Sequence, residues 1–201
     1  MISKVGLFRG FAVGLILSGL IFGVSVAYNF YDQQQVDSAQ NKAWQQFVVA
    51  ASGPAPSASP DSTGAPQPAG LPNGIYLKMT LASVGKDAVA VNGDWSSLKV
   101  FNTVHYKTSP APGQQGNMLI AFHREPKWLD INRVKAGDVI KIDTVDRRSY
   151  QYQIDVIKIV SATDVSYLRS TNGHDLTLVT CDPPYRDYNR MVFRAHLVQT
   201  G

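Results

Sequence analysis

Two consecutive prolines, Pro183 and Pro184, divide the last part of this chain into two short apolar runs and restrict how those runs can pair. Residues 176–181 are apolar and β-branched, so they read as a strand that stops at or just after Cys181. Neither proline can donate to a β-ladder, and the chain through them must run extended or turn. Residues 191–198 then alternate as a returning strand does. An antiparallel pair closed by a loop of about eight residues brings Cys181 and Arg190 to one rim of a sheet. A thiol there lies beside a permanent positive charge, which favours a thiolate or an oxyanion formed when the thiolate attacks a carbonyl. The alternative is a lone cysteine acting as a small buried hydrophobe without chemistry.

The same short-strand pattern continues upstream. Residues 75–81, 88–91, 118–122, 138–145 and 150–160 are rich in Val, Ile, Tyr and Thr. Turn signals such as Asn92-Gly93, Ala136-Gly137-Asp138 and Asn172-Gly173 separate them. Apart from a helical turn around residues 94–99, no 3.6-residue pattern competes, and there is no internal repeat. From residue 71 to residue 201 there are about 130 residues, enough for one domain. The expected fold is therefore all-β, a closed barrel or a sandwich with short helical turns.

The N-terminal part is of a different kind. Residues 11–31 carry no charge, and Gly10 extends the run to about 22 residues, long enough for a helix across a bilayer core. Lys4 and Arg9 precede it while Asp32 and Asp37 follow. The positive-inside rule then leaves residues 1–9 in the cytoplasm and sends the chain after residue 31 outside. The rival reading is a cleaved signal peptide, for which Val24-Ser25-Val26-Ala27 imitates a cleavage site, but the run is longer than the usual 7–15 residues. Residues 32–70 form a juxtamembrane segment with room for a short helix, followed by an Ala/Pro/Ser-rich linker. That composition cannot bury enough apolar surface to fold and reads as a tether.

The net charge of +4 is dispersed, without the concentrated basic stripe and aromatic partners of a nucleic-acid module. No Cys/His group has metal-ligand spacing, and neither a metal nor a cofactor is expected. With one cysteine no internal disulfide can form, although an oxidising compartment would permit one. Among the histidines, His123 stands at the end of an apolar strand that Arg124-Glu125-Pro126 stops at once, so it faces a cleft rather than a core. Its imidazole suits proton exchange with a thiol and with a leaving amine. His174 and His196 read as structural.

These pieces resemble a known family. Thr177-Leu178-Val179-Thr180-Cys181 resembles the Thr-Leu-x-Thr-Cys signature of the sortases, membrane-anchored cysteine transpeptidases of bacterial surfaces. Arg190-Met191-Val192-Phe193 resembles that family's arginine at the start of an apolar strand. Asn117-Met118-Leu119-Ile120-Ala121-Phe122-His123-Arg124 is similar to the strand that carries its histidine. The Pro-Pro after Cys181-Asp182 and the short loop look like members of class D or E. The resemblance implies a barrel of about eight strands preceded by one transmembrane helix. It also implies Cys181 as nucleophile, His123 as acid and base, and Arg190 at the oxyanion. Arg194, on the same strand face but further from the rim, and Arg186, in the loop, compete with Arg190. His105, in the segment before Pro112-Gly113-Gln114, resembles a family position that is read as a loop residue or one supporting the site, and Thr180 resembles a contributor to the oxyanion surroundings. The family usually has Gly where Phe122 stands, so a ring there is expected to narrow the cleft or re-aim the imidazole.

The implied reaction starts with a C-terminal sorting signal of the Leu-Pro-x-Thr-Gly type on a secreted protein. A thioacyl-enzyme forms, and the protein passes to an amine of a peptidoglycan precursor or a pilin lysine. The implied setting is a single-pass anchor in the cell membrane with the catalytic domain outside. Two other readings remain: a membrane-anchored thiol peptidase that only hydrolyses, and a non-enzymatic surface β-barrel that binds peptide or wall polymer.

Overall fold

The computed structural model describes residues 4–50 and 74–201. The linker expected between them lies outside the described residues, as do residues 1–3.

Eight strands close into a barrel. They are β1 (Ile75–Leu81), β2 (Lys86–Gly93), β3 (Thr103–Tyr106), β4 (Gly116–Phe122), β5 (Val139–Thr144), β6 (Ser149–Ser161), β7 (His174–Asp182) and β8 (Asn189–Thr200). Their order around the barrel is β1-β2-β3-β4-β7-β8-β6-β5, with β5 returning to β1. Alternation fills the interior. Met118, Ile120 and Phe122 of β4, Leu176 and Leu178 of β7, and Met191, Phe193 and Ala195 of β8 all join one buried cluster, as a period of two requires. Closure also removes the open sheet edges that would invite association. The expected turn at residues 94–99 is a 3-10 turn, Trp95–Lys99, whose first residues are capped by Asp94.

Strand β3 has no counterpart in the sequence reading. Its four residues include His105 and are too short a run to mark a strand; its place comes from parallel pairing with β2 and antiparallel pairing with β4. His105 is therefore a mid-strand residue and not a loop residue, fully buried against the Tyr76 ring at 4.7 Å between centroids. Its ring nitrogens meet Asn92 Oδ1 at 2.9 Å and the Pro110 carbonyl at 3.1 Å. Burial lowers its pKa to about 4, with the Pro110 carbonyl opposing. An unfolded chain takes up this proton near pH 6.5 while the folded barrel does not. Stability therefore falls as pH drops from 6.5 towards 4, by about 3 kcal/mol in all. Urea unfolding across that range measures the loss, and His105→Gln flattens it.

One helix, α1 (Lys4–Ala50), precedes the barrel. Residues 1–35 and residues 36–201 are separate compact units. In the first, Leu17, Leu20, Ile21, Phe22, Val24, Val26, Tyr28, Phe30 and Tyr31 are all exposed. The side chains of residues 4–16, which include the first part of the expected span (residues 10–31), lie outside the described residues. Among the described ones, no helix is long and apolar enough to cross a membrane, so the transmembrane part of the expected fold is not reproduced there.

In the second unit the last turns of α1 pack on the barrel. Trp44, 4% exposed, is buried with Ile75, Val89 and Val145, and Ala43 and Phe47 flank it. Asp37 accepts a hydrogen bond from Asn102 Nδ2 at 2.9 Å and lies 3.5 Å from Lys127 Nζ. Trp44→Ala removes a large buried ring and is expected to cost the barrel unit about 3 kcal/mol in denaturant unfolding.

Candidate active site

The site follows from three neighbouring strands. β4 and β7 run parallel with Ala121 level with Val179. Two residues further along each stand His123 and Cys181. β7 and β8 run antiparallel, and Cys181 lies directly opposite Arg190. Extending the β4–β7 register by two residues puts His123, Cys181 and Arg190 in one row of residues, with neighbouring strands about 4.8 Å apart.

The row faces the outside of the barrel. One alternation back lie Ala121, Val179 and Val192, which form an outer apolar cluster with Leu98, Val160 and Tyr167 packed against it. These side chains form an apolar patch next to the row. Tyr167 comes from the 3-10 turn Ser166–Leu168 between β6 and β7. Burial pushes its phenol up, Arg190 opposes this, and Cys181 adds to it, so the ring lies within electrostatic reach of both groups.

Each member of the row has defined partners. The His123 main-chain N–H donates to the Asn102 carbonyl at 2.9 Å, and its Nε2 lies 2.7 Å from the Leu98 carbonyl. Only a protonated Nε2 can bond to a carbonyl, which leaves Nδ1 as the nitrogen open to proton exchange. Arg190 Nη1 donates to the carbonyls of Asp187 and Asn189, each at 3.0 Å, and among the described residues it has no carboxylate ion pair. The guanidinium is thus aimed by main chain and retains donors for a substrate. Cys181 is half-buried, and burial pushes its thiol up. Arg190 and Arg124 pull it down, while Glu125 and Asp187 push it up further. At neutral pH the resting sulfur is mainly a thiol rather than a thiolate.

The remaining sequence candidates lie elsewhere. Phe122 points into the barrel, 3% exposed, with its ring 5.2 Å from that of Trp128. Alternation sends it to the face opposite His123, so it packs the core and does not narrow the cleft. His105 fills the interior and has no route to a substrate. The Thr180 hydroxyl donates to the Phe122 carbonyl at 2.8 Å; it fastens β7 to β4 and has no proton left for an oxyanion. Arg194 pairs with Thr177, two alternations beyond the row, and its Nη2 donates to the Tyr167 carbonyl at 3.2 Å. Arg186 stays in the β7–β8 loop beside the Tyr188 ring.

Sequence reasoning missed the supports of this face. Asn117 Nδ2 donates to the carbonyls of Tyr167 and Arg169, and Thr177 Oγ1 donates to Asn117 Oδ1 at 2.7 Å. Together with Arg194 this network fixes the turn that carries Tyr167. It also missed Arg124, whose Nη1 donates to Asp182 Oδ1. No spacing marks these residues, since their partners are distant in sequence. Among the described residues, no group of three or more His, Cys, Asp or Glu side chains is gathered as a metal site.

A thiol opposite an oriented guanidinium, with an imidazole at the end of the neighbouring strand, is the set of groups that cysteine acyl transfer uses. Residues 79–198 match the sequence profile of the Sortase domain. The chain is 28% identical over 214 residues to Sortase SrtE2 of Streptomyces coelicolor, covering 92% of this chain and 80% of the relative. Among solved structures, the Sortase D5 transpeptidase of Clostridium perfringens superposes with a TM-score of 0.56 at 27% identity, covering 62% of this chain and 79% of the other. Sortase E from Streptomyces avermitilis gives 0.55 at 25% identity, covering 63% and 90%. The chain belongs to the sortase family, and its activity is that of a sortase-type cysteine transpeptidase.

Proposed function

We propose that this transpeptidase cleaves a C-terminal sorting signal of the Leu-Pro-x-Thr-Gly type through a thioester on Cys181. The observation that carries the proposal is Cys181 directly opposite Arg190 on β7 and β8, with His123 immediately after β4, the parallel neighbour of β7. Cys181 Sγ, its proton passed to the imidazole, attacks the carbonyl carbon of the scissile peptide. Arg190 neutralises the oxyanion that develops. As the tetrahedral species collapses, the C–N bond breaks and the leaving amine takes a proton from His123. A second amine, from a peptidoglycan precursor or a pilin lysine, then attacks the thioester and releases the thiol. Arg190→Met is expected to lower the rate of acylation about 10²–10³-fold, as read by single-turnover release of the C-terminal fragment.

The setting proposed for this chemistry is the outer face of the cell membrane. The exposed apolar side chains from Leu17 to Tyr31 fit a single-pass anchor, with the N-terminus in the cytoplasm and the linker holding the barrel outside. The test is incubation of the full chain with a sorting peptide and a small amine. A ligated product and a trapped acyl adduct on Cys181 are expected in mass spectra. Hydrolysis without ligation would indicate a thiol peptidase, and no adduct a binding barrel with an inert cysteine.

A further inference from the structure

We propose that Arg124 and Asp182 are a positioning pair that holds His123 and Cys181 at their working separation. The inference rests on the catalytic reading of those two residues. Arg124 directly follows His123, and Asp182 directly follows Cys181. Arg124 Nη1 donates to Asp182 Oδ1 and lies 3.4 Å from the Cys181 carbonyl oxygen. One guanidinium thus holds the main chain of the nucleophile's own residue and the side chain of the next. The pair ties the end of β4 to the end of β7, where the regular pairing of those strands has stopped at Ala121 and Val179.

Its surroundings favour positioning over simple stabilisation. The Arg124 side chain is 4% exposed and that of Asp182 15%. Taking both charges out of water is costly, and well-packed apolar side chains often serve stability as well. Arg124 Nε is moreover buried without an acceptor, an additional cost that a purely packing residue would avoid. What the pair adds is a fixed spacing between two strand ends. The next residue repeats the device, since Glu125 Oε1 accepts from the Tyr185 main-chain N–H. The charged groups around the thiol are Arg190, Glu125, Asp187 and Arg124; replacing Arg124 together with its partner Asp182 keeps the net charge of these side chains plus Asp182 unchanged, although the pull of Arg124 on the thiol is lost.

The test compares wild type, the double variant Arg124→Met/Asp182→Asn, Arg124→Lys and His123→Ala, all as the full chain. Two properties are read: steady-state cleavage of a sorting peptide, and the pH dependence of Cys181 alkylation by iodoacetamide, which needs no substrate. The double variant is expected to melt cooperatively, to lose about 10²-fold in kcat with KM within about threefold, and to move its alkylation profile towards that of His123→Ala. A folded double variant with wild-type kcat and wild-type profile would overturn the proposal. Should the double variant fail to melt cooperatively, Arg124→Lys decides: a lowered kcat and a displaced profile support the pair, and wild-type values refute it. Should wild type leave the peptide uncleaved, the sorting-signal reading falls, and the alkylation profiles alone decide for or against the pair.

Discussion

Cys181→Ala is expected to abolish thioester formation and transpeptidation, a loss on the order of 10⁴-fold or more, while the barrel stays folded. The substitution removes one sulfur from a half-buried position at a strand end. Its neighbours Thr180 and Asp182 keep their bonds to Phe122 and Arg124, so the stability change should stay within about 1 kcal/mol. Mass spectra of the protein after exposure to a sorting peptide give the direct reading: an acyl adduct on wild type, none on the variant. An adduct at undiminished yield on the variant would remove Cys181 from the mechanism. The wild-type enzyme should also show a characteristic pH response. Burial pushes the thiol up despite Arg190, so the reactive thiolate is scarce at neutral pH. Alkylation and acylation should both accelerate as pH rises above neutrality, by up to tenfold per unit until the thiol has ionised. A rate already flat at pH 7 would mean that the guanidinium outweighs burial.

His123→Ala is expected to slow acyl transfer by about 10²–10⁴-fold, the usual worth of a positioned acid and base. In the proposed mechanism the imidazole has two tasks. It takes the proton that burial keeps on Cys181, and it returns one to the departing amine. The Leu98 carbonyl fixes the tautomer at Nε2, so the loss should be nearly as large for His123→Gln, which keeps a hydrogen-bond donor there but has no titrating nitrogen. Single-turnover kinetics with a peptide and with an activated thioester of the same sequence separate the two roles. The thioester's leaving group needs no proton, so the variant should recover part of its rate on that substrate. Equal losses on both substrates would confine His123 to activating the thiol.

Local sequence determined most of the strands and two thirds of the row. β-branched runs with a period of two placed β1, β2, β4, β5, β6, β7 and β8 to within a few residues, because alternation encodes which face of a strand is buried. The prolines after Asp182 set a short connection, and a short antiparallel connection leaves Cys181 opposite Arg190. The strand-ending Glu125-Pro126 likewise put His123 at a rim. All of this is information held within about fifteen residues of chain.

Tertiary structure decided the rest, because it depends on which strands become neighbours. β3 is a strand only because β2 and β4 offer it backbone partners. The parallel contact of β4 with β7, paired as far as Ala121 and Val179, puts His123 and Cys181 just past the paired ends of neighbouring strands, and no local pattern records a pairing across 58 residues. The same contact put Phe122 in the core, committed the Thr180 hydroxyl, and buried Arg124 against Asp182. Asn117 and Arg194 hold the turn with Tyr167 for the same reason. A periodic sequence specifies faces, whereas barrel closure, driven by burial of those faces and by satisfying every strand's hydrogen bonds, specifies neighbours.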